Sequence, residues 1–280
     1  MPNVLMSGLT IGESPRWHDG RLWLSNWGTD EIVTVDLDGK SEVVARVPVT
    51  IAFSIDWLPD GRLIVVAGPD ERLLRQEPDG TLVDHADMSG LDANGLNEIV
   101  VDGRGNVYVN GGCEFDPPEG VAPGIIALVT PDGSVRKVAD GLAFPNGMAV
   151  TPDNSTLIIA ESHGHRLTGF DIARDGSLSN RRVWADLGDG YPDGICLDAD
   201  GAIWYGDVAN QRCVRVREGG AVLHTIEFDR GCFACTLGGA DGTTLFMVAA
   251  KWRGLDAMAD TERTGQVLTA VGPAPGVGWP

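Results

Sequence analysis

A chain of 280 residues with a net charge of −19 surrounds itself with a field that repels phosphate backbones and anionic lipid, which excludes nucleic acid and membrane as partners and favours cations. Hydrophobic residues at 43% can fill a large core, while 38 glycines, 16 prolines and only 22% charged residues point to many tight turns and an all-β chain of one domain. No window approaches the roughly 20 apolar residues of a membrane span, and "MPNVLMSGLTIGESPRW" has no basic segment followed by an apolar core, so a soluble cytoplasmic protein is expected, monomeric or a small homo-oligomer.

In chain order, the predicted elements repeat. A polar or small residue, a short apolar run, a turn of D-G type and a second apolar strand occur six times: "ESPRWHDGRLWLSNW" from Glu13, "SIDWLPDGRLIVVAG" from Ser54, "NEIVVDGRGNVYVNG" from Asn97, "NGMAVTPDNSTLIIAES" from Asn146, "DGICLDADGAIWYGDV" from Asp193 and "FACTLGGADGTTLFMVAA" from Phe233. The starts are 41, 43, 49, 47 and 40 residues apart. Secondary turns such as "DLDGK" at 36–40 and "EPDGT" at 77–81 divide most repeats again, giving two hairpins per repeat. Four strands in 40 to 50 residues, six times over, predict a six-bladed β-propeller with four antiparallel strands per blade. Closure of the ring falls to the chain ends, with "TGQVLTAV" at 264–271 pairing beside the N-terminal "NVLMSGL". The longest departure from the period, "GGCEFDPPEGVAPG" at 111–124, is either a surface flap or a binding loop.

Inner strands of a propeller converge on a central channel, so the first residues of the repeats should meet at one mouth. Glu13, Asn97, Asn146 and Asp193 then bring two carboxylates and two amides together. Two carboxylates in a partly dry channel repel and raise a pKa unless a cation lies between them. One divalent ion taking hard oxygen ligands (calcium, magnesium or manganese, with zinc or iron(II) also admissible) resolves the conflict. Taken singly, Asp or Asn before Gly is more often a turn former; coincidence of position in several repeats is what favours the metal reading.

Five irregularly spaced cysteines suit reduced thiols, and "CFAC" at 232–235 has no second half to complete a zinc site, so these read as buried strand thiols. "HGH" at 163–165 reads as polar residues at a strand end, with His163 a candidate for the channel mouth. There is no G-x-S-x-G elbow and no strand, glycine loop and helix order for a nucleotide. Among aromatic residues, Trp17 and Phe233 are candidate pocket walls.

"GESPRW" around Glu13, "FPNGMAV" around Asn146 and "YPDGICLDADGAIW" around Asp193 together resemble the senescence marker protein, gluconolactonase and regucalcin-like family of six-bladed propellers. The resemblance implies that Glu13, Asn146 and Asp193 bind one divalent metal, that Asn97 contacts substrate or metal-bound water, and that the substrate is a small-molecule lactone, opened by hydrolysis. Of the two carboxylates, Asp193 is read here as the base for the attacking water, with Glu13 as ligand. One motif departs: sugar-lactone members tend to carry Arg-x-Asn-Asp where this chain has Gly95-Leu96-Asn97-Glu98, leaving Glu114 or Glu119 of the insertion, or a less polar lactone, as ways to make up for the missing arginine. The competing reading is a non-catalytic propeller whose metal is structural and whose open face binds a ligand or protein.

Overall fold

Aspartates of the D-G sites fold the local turns. Asp36 Oδ1 accepts the Asp38 and Lys40 N–H groups, Asp79 accepts the N–H and O–H of Thr81, and Asp132 accepts the Ser134 N–H and the Thr130 O–H. Such Asx turns reverse the chain after each apolar run. In the computed structural model, which describes residues 2–91, 93–114, 118, 120, 122–254 and 262–277, these reversals leave 24 strands in six four-stranded antiparallel sheets.

The expected propeller is present. The inner strands are Ile11–His18, Phe53–Trp57, Leu96–Val101, Pro145–Val150, Pro192–Leu197 and Gly231–Gly238, and each touches the inner strands of the blades before and after it. The sixth blade takes its outermost strand, Asn3–Leu9, from the other end of the chain, where it pairs antiparallel with Gly265–Val271. The ring therefore closes as its end sequences indicate.

Burial runs outward along each blade. Leu63–Ala67, a second strand, is wholly buried, whereas the outer strands Ser41–Arg46 and Val222–Glu227 are largely exposed. Six hydrophobic clusters lie one between each pair of consecutive blades, as where Ile64 and Val66 of blade two meet Ile99 and Val101 of blade three. At roughly 25 cal/mol per Å² of apolar surface removed from water, this face-to-face burial is what holds the ring together. The cysteines are free: Cys196, Cys213, Cys232 and Cys235 sit buried in the cluster between blades five and six, with Cys196 Sγ and Cys235 Sγ 3.9 Å apart. Among the described residues no helix is long and apolar enough to cross a membrane.

Candidate functional site

Five of the six inner strands carry a register shift against the second strand of their blade, at Glu13/Arg16, Leu96/Ile99, Pro145/Met148, Pro192/Ile195 and Cys232/Ala234. A bulge re-aims the residue it contains. Glu13, Asn97, Asn146, Asp193 and Phe233 sit at these five places and all line one cavity of about 460 Å³ at the channel mouth. The sixth inner strand, Phe53–Trp57, pairs without a shift. Its Ser54 does not line the cavity: fully buried, it donates to Asn97 O at 2.8 Å and holds the neighbouring site strand.

Glycines after two of these residues are required by contact between blades, not by turns. A Cβ on Gly147 would lie 2.8 Å from Asp193 O and 2.5 Å from Ile195 N, and one on Gly194 would lie 2.2 Å from Ala234 Cβ. The P-N-G and P-D-G motifs thus let the inner strands of blades four, five and six abut backbone to backbone, which brings Asn146 and Asp193 together. Side chains brace the arrangement: Asn110 Nδ2 donates to Asn146 O at 2.7 Å, and Ser162 Oγ donates to Pro192 O at 2.7 Å.

The electrostatics of the floor are unbalanced. Glu13, Asn97 and Asn146 are buried, and Asp193 opens only partly to the cavity. Burial pushes the Glu13 carboxyl well above its usual range, and the charges of Asp193 and Glu98 push it further. Asp193 is raised likewise, by burial and by Glu98, against a smaller opposing effect of the Asn146 amide. Glu13 Oε2 is buried and has no hydrogen-bond partner among the described residues. No lysine or arginine is among the described residues lining the cavity. Deeper in the channel, Arg16 donates to Ile99 O at 2.9 Å and lies 3.9 Å from Glu98, with Asp56 close by, so that cation is already engaged by other acids.

These features fit a divalent cation. Glu13 and Asp193 supply two negative charges, Asn146 and Asn97 neutral oxygens, and an orphaned carboxylate oxygen is already desolvated. Among the described residues no group of three or more His, Cys, Asp or Glu side chains is placed to hold an ion, so the amides have to complete the set.

The remaining expectations divide. Trp17 is corrected: past the bulge and four residues from Glu13, about 13 Å along the strand, it stacks on Phe246 at 5.3 Å and does not line the cavity. Glu114 is not among the described residues lining the cavity and accepts a hydrogen bond from Asn94 Nδ2 at 3.1 Å, while Cys113 of the same insertion lines it. Glu119 lies outside the described residues. His163 does reach the mouth, but from a turn, not a strand, and His165 diverges to Gly190 O. Sequence reading missed Trp27, Ile51, Phe144 and Val208, which form much of the wall. They sit at strand ends and connections, where no periodicity marks them.

The fold and site define the class: a six-bladed propeller with acidic and amide side chains gathered at the mouth of its channel. The description SMP-30/Gluconolactonase/LRE-like region matches residues 11–251, and the chain belongs to that family. It is 25% identical over 270 residues to regucalcin of Bos taurus, covering 90% of this chain and 87% of that one. It is 29% identical over 195 residues to diisopropyl-fluorophosphatase of Loligo vulgaris, covering 61% and 60%. Among solved structures, a calcium-binding protein, regucalcin, from Agrobacterium tumefaciens superposes with a TM-score of 0.82 at 22% identity, covering 100% and 96% of the two chains. A gluconolactonase from Xanthomonas campestris gives 0.75 at 23% identity, covering 96% and 88%.

Proposed function

We propose that the protein is a divalent-metal-dependent hydrolase that opens the ester bond of a lactone. The observation that carries this reading is the pair of carboxylates, Glu13 buried and Asp193 half-buried, with no lysine or arginine among the described lining residues to balance them at the floor of a ligand-sized cavity. Relatives named gluconolactonase and diisopropyl-fluorophosphatase support hydrolysis, and one described as calcium-binding supports a hard cation. The small-molecule cavity and the strong negative charge favour a soluble enzyme acting on a free metabolite.

Glu13, Asn146 and Asp193 would hold the ion, with Asn97 beside them. When bound, such an ion polarises a carbonyl oxygen and stabilises negative charge that develops on it. Asp193, the acid that opens to the cavity, takes the proton from the attacking water as that water's oxygen bonds to the lactone carbonyl carbon. The ring C–O bond breaks, and the proton passes from Asp193 to the departing alkoxide oxygen, giving the hydroxy acid. Asn97, its backbone fixed by Ser54, orients water or substrate through its side-chain amide. Glu13 stays an acceptor, buried away from bulk water.

A panel of γ- and δ-lactones followed by proton release, with and without added divalent ions, tests the reading. Turnover that requires the ion and disappears in Asp193→Ala and Glu13→Ala, with the propeller still folded by circular dichroism, is expected. Unchanged turnover after demonstrated metal loss would overturn it.

A further inference from the structure

Above the acidic floor the cavity changes character. Every blade, or the connection leading into it, contributes an apolar side chain to the wall: Trp27, Ile51, Leu96, Phe144, Val208 and Phe233 in ring order. Trp252 continues the wall, its ring 5.9 Å from that of Phe233, and both Ile51 and Trp252 are large apolar side chains left exposed at the rim. Exposed apolar side chains gathered around a concave site mark a surface that expects an apolar partner.

Several polar atoms in the wall are already engaged. Trp27 Nε1 donates to Phe53 O at 2.8 Å, Ser162 Oγ donates to Pro192 O, and Asn94 Nδ2 donates to Glu114 Oε1. The His163 ring lies against Phe144, centroids 4.5 Å apart. A ligand rich in hydroxyl groups would lose its water against a mainly apolar wall, an unfavourable exchange wherever a hydroxyl meets no partner.

Phe144 adds an independent sign. Its φ is +57°, in the left-handed region that bulky side chains rarely occupy. Two backbone bonds and one to a side chain hold it there: Ser162 N donates to Phe144 O at 2.9 Å, His163 N to Ala143 O at 3.2 Å, and Ala143 N to the Glu161 carboxylate Oε2 at 2.8 Å. A glycine or asparagine would adopt this backbone with less strain, so an aromatic ring kept at this point of the wall is consistent with a function for the ring.

We infer that the cavity selects a lactone bearing a hydrophobic alkyl or aryl substituent, the carbonyl end on the Glu13 and Asp193 floor and the substituent against the Trp27, Phe144 and Phe233 wall, over a polyhydroxylated sugar lactone. This deepens the hydrolase reading and rests on it for the fate of the ligand, while the choice of ligand rests on the wall alone.

The test pairs binding with turnover. Binding of two lactams that the enzyme does not open, 6-pentylpiperidin-2-one and D-glucono-1,5-lactam, is measured by quenching of tryptophan fluorescence and by calorimetry. Hydrolysis of the corresponding δ-decalactone and D-glucono-1,5-lactone is followed by proton release. The apolar lactam should bind at least about tenfold more tightly, and the apolar lactone should be opened with a kcat/KM at least about tenfold higher. Ile51→Ser, a change at an exposed rim position, should shrink both preferences several-fold, mainly through KM. Equal or tighter binding of the sugar lactam overturns the inference whatever the kinetics. Preferential binding of the apolar lactam with neither lactone opened upholds the selectivity of the wall and overturns the hydrolase reading alone.

Discussion

Gly147 lies flat against the backbone of Asp193, so close that a methyl group on it would come 2.8 Å from the Asp193 carbonyl oxygen. Contact between these two residues sets the separation of the Asn146 and Asp193 side chains. Gly147→Ala has only backbone atoms to push against, which forces blades four and five apart. A loss of about 1–3 kcal/mol in stability is expected, with at least about tenfold weaker divalent binding as a misplaced ligand set. Gly90→Ala, where nothing lies within 4 Å, is the control and should change thermal stability little. Thermal melts and calorimetric titration of both variants check this.

Removing one acid should have opposite effects with and without the ion. Glu13 is buried, carries an unpartnered Oε2 and is raised by burial and by Asp193 and Glu98. Chelator-treated Glu13→Gln should melt at or above the temperature of the chelator-treated wild type. Added calcium at 100 times its Kd should stabilise the wild type by about 2.7 kcal/mol and the variant hardly at all. Calorimetric melts of the four samples provide the comparison.

Asp56 offers a pH prediction of definite sign. Burial raises its carboxyl to about 6 from an ordinary 3.8, against opposing effects of Arg16 and of N–H bonds from Val101 and Trp57. The folded protein keeps this proton to a higher pH than the unfolded chain, so the contribution is fully present below about pH 4 and is lost as pH rises through 6. Its size is on the order of 3 kcal/mol. His18, His85 and His163 are lowered and act with the opposite sign, so the difference curve between wild type and Asp56→Asn isolates the effect. Stability measured by urea unfolding from pH 4 to 7 should show the wild type losing ground against the variant across that window.

Thiol chemistry should be slow in the folded protein. Cys196, Cys213, Cys232 and Cys235 are buried, and burial pushes the half-buried Cys113 up to about 12. Titration with an aromatic disulfide reagent at pH 7.5 should modify Cys113 at least about 100-fold more slowly than a free thiol, leave the other four untouched, and count all five after unfolding.

The ring was legible because each repeat carries its own punctuation, and the blade period survives variation in loop length. The same local rules hid part of the site. Asp79-Gly80 and Asp193-Gly194 are the same dipeptide, yet Asp79 folds an exposed turn and Asp193 sits in a bulge at the channel mouth. Only their positions within the repeat separate them. Trp17 could not be placed correctly without the register shift between Glu13 and Arg16, which leaves no compositional trace. Wall residues such as Trp27 and Phe144 come from strand ends and connections, where one blade meets the next and sequence carries no period. The buried Arg16, Glu98 and Asp56 cluster is likewise a product of blade convergence, since each residue alone looks like an ordinary strand position.

Gathering of Glu13, Asn97, Asn146 and Asp193 from four blades around one cation is tested most directly by calorimetric titration of calcium into metal-stripped protein, wild type and Asp193→Ala in parallel. One ion per wild-type chain is predicted, with affinity at least about 100-fold weaker in the variant and both proteins equally folded. No binding to the wild type, or the same affinity in both, would contradict the assignment.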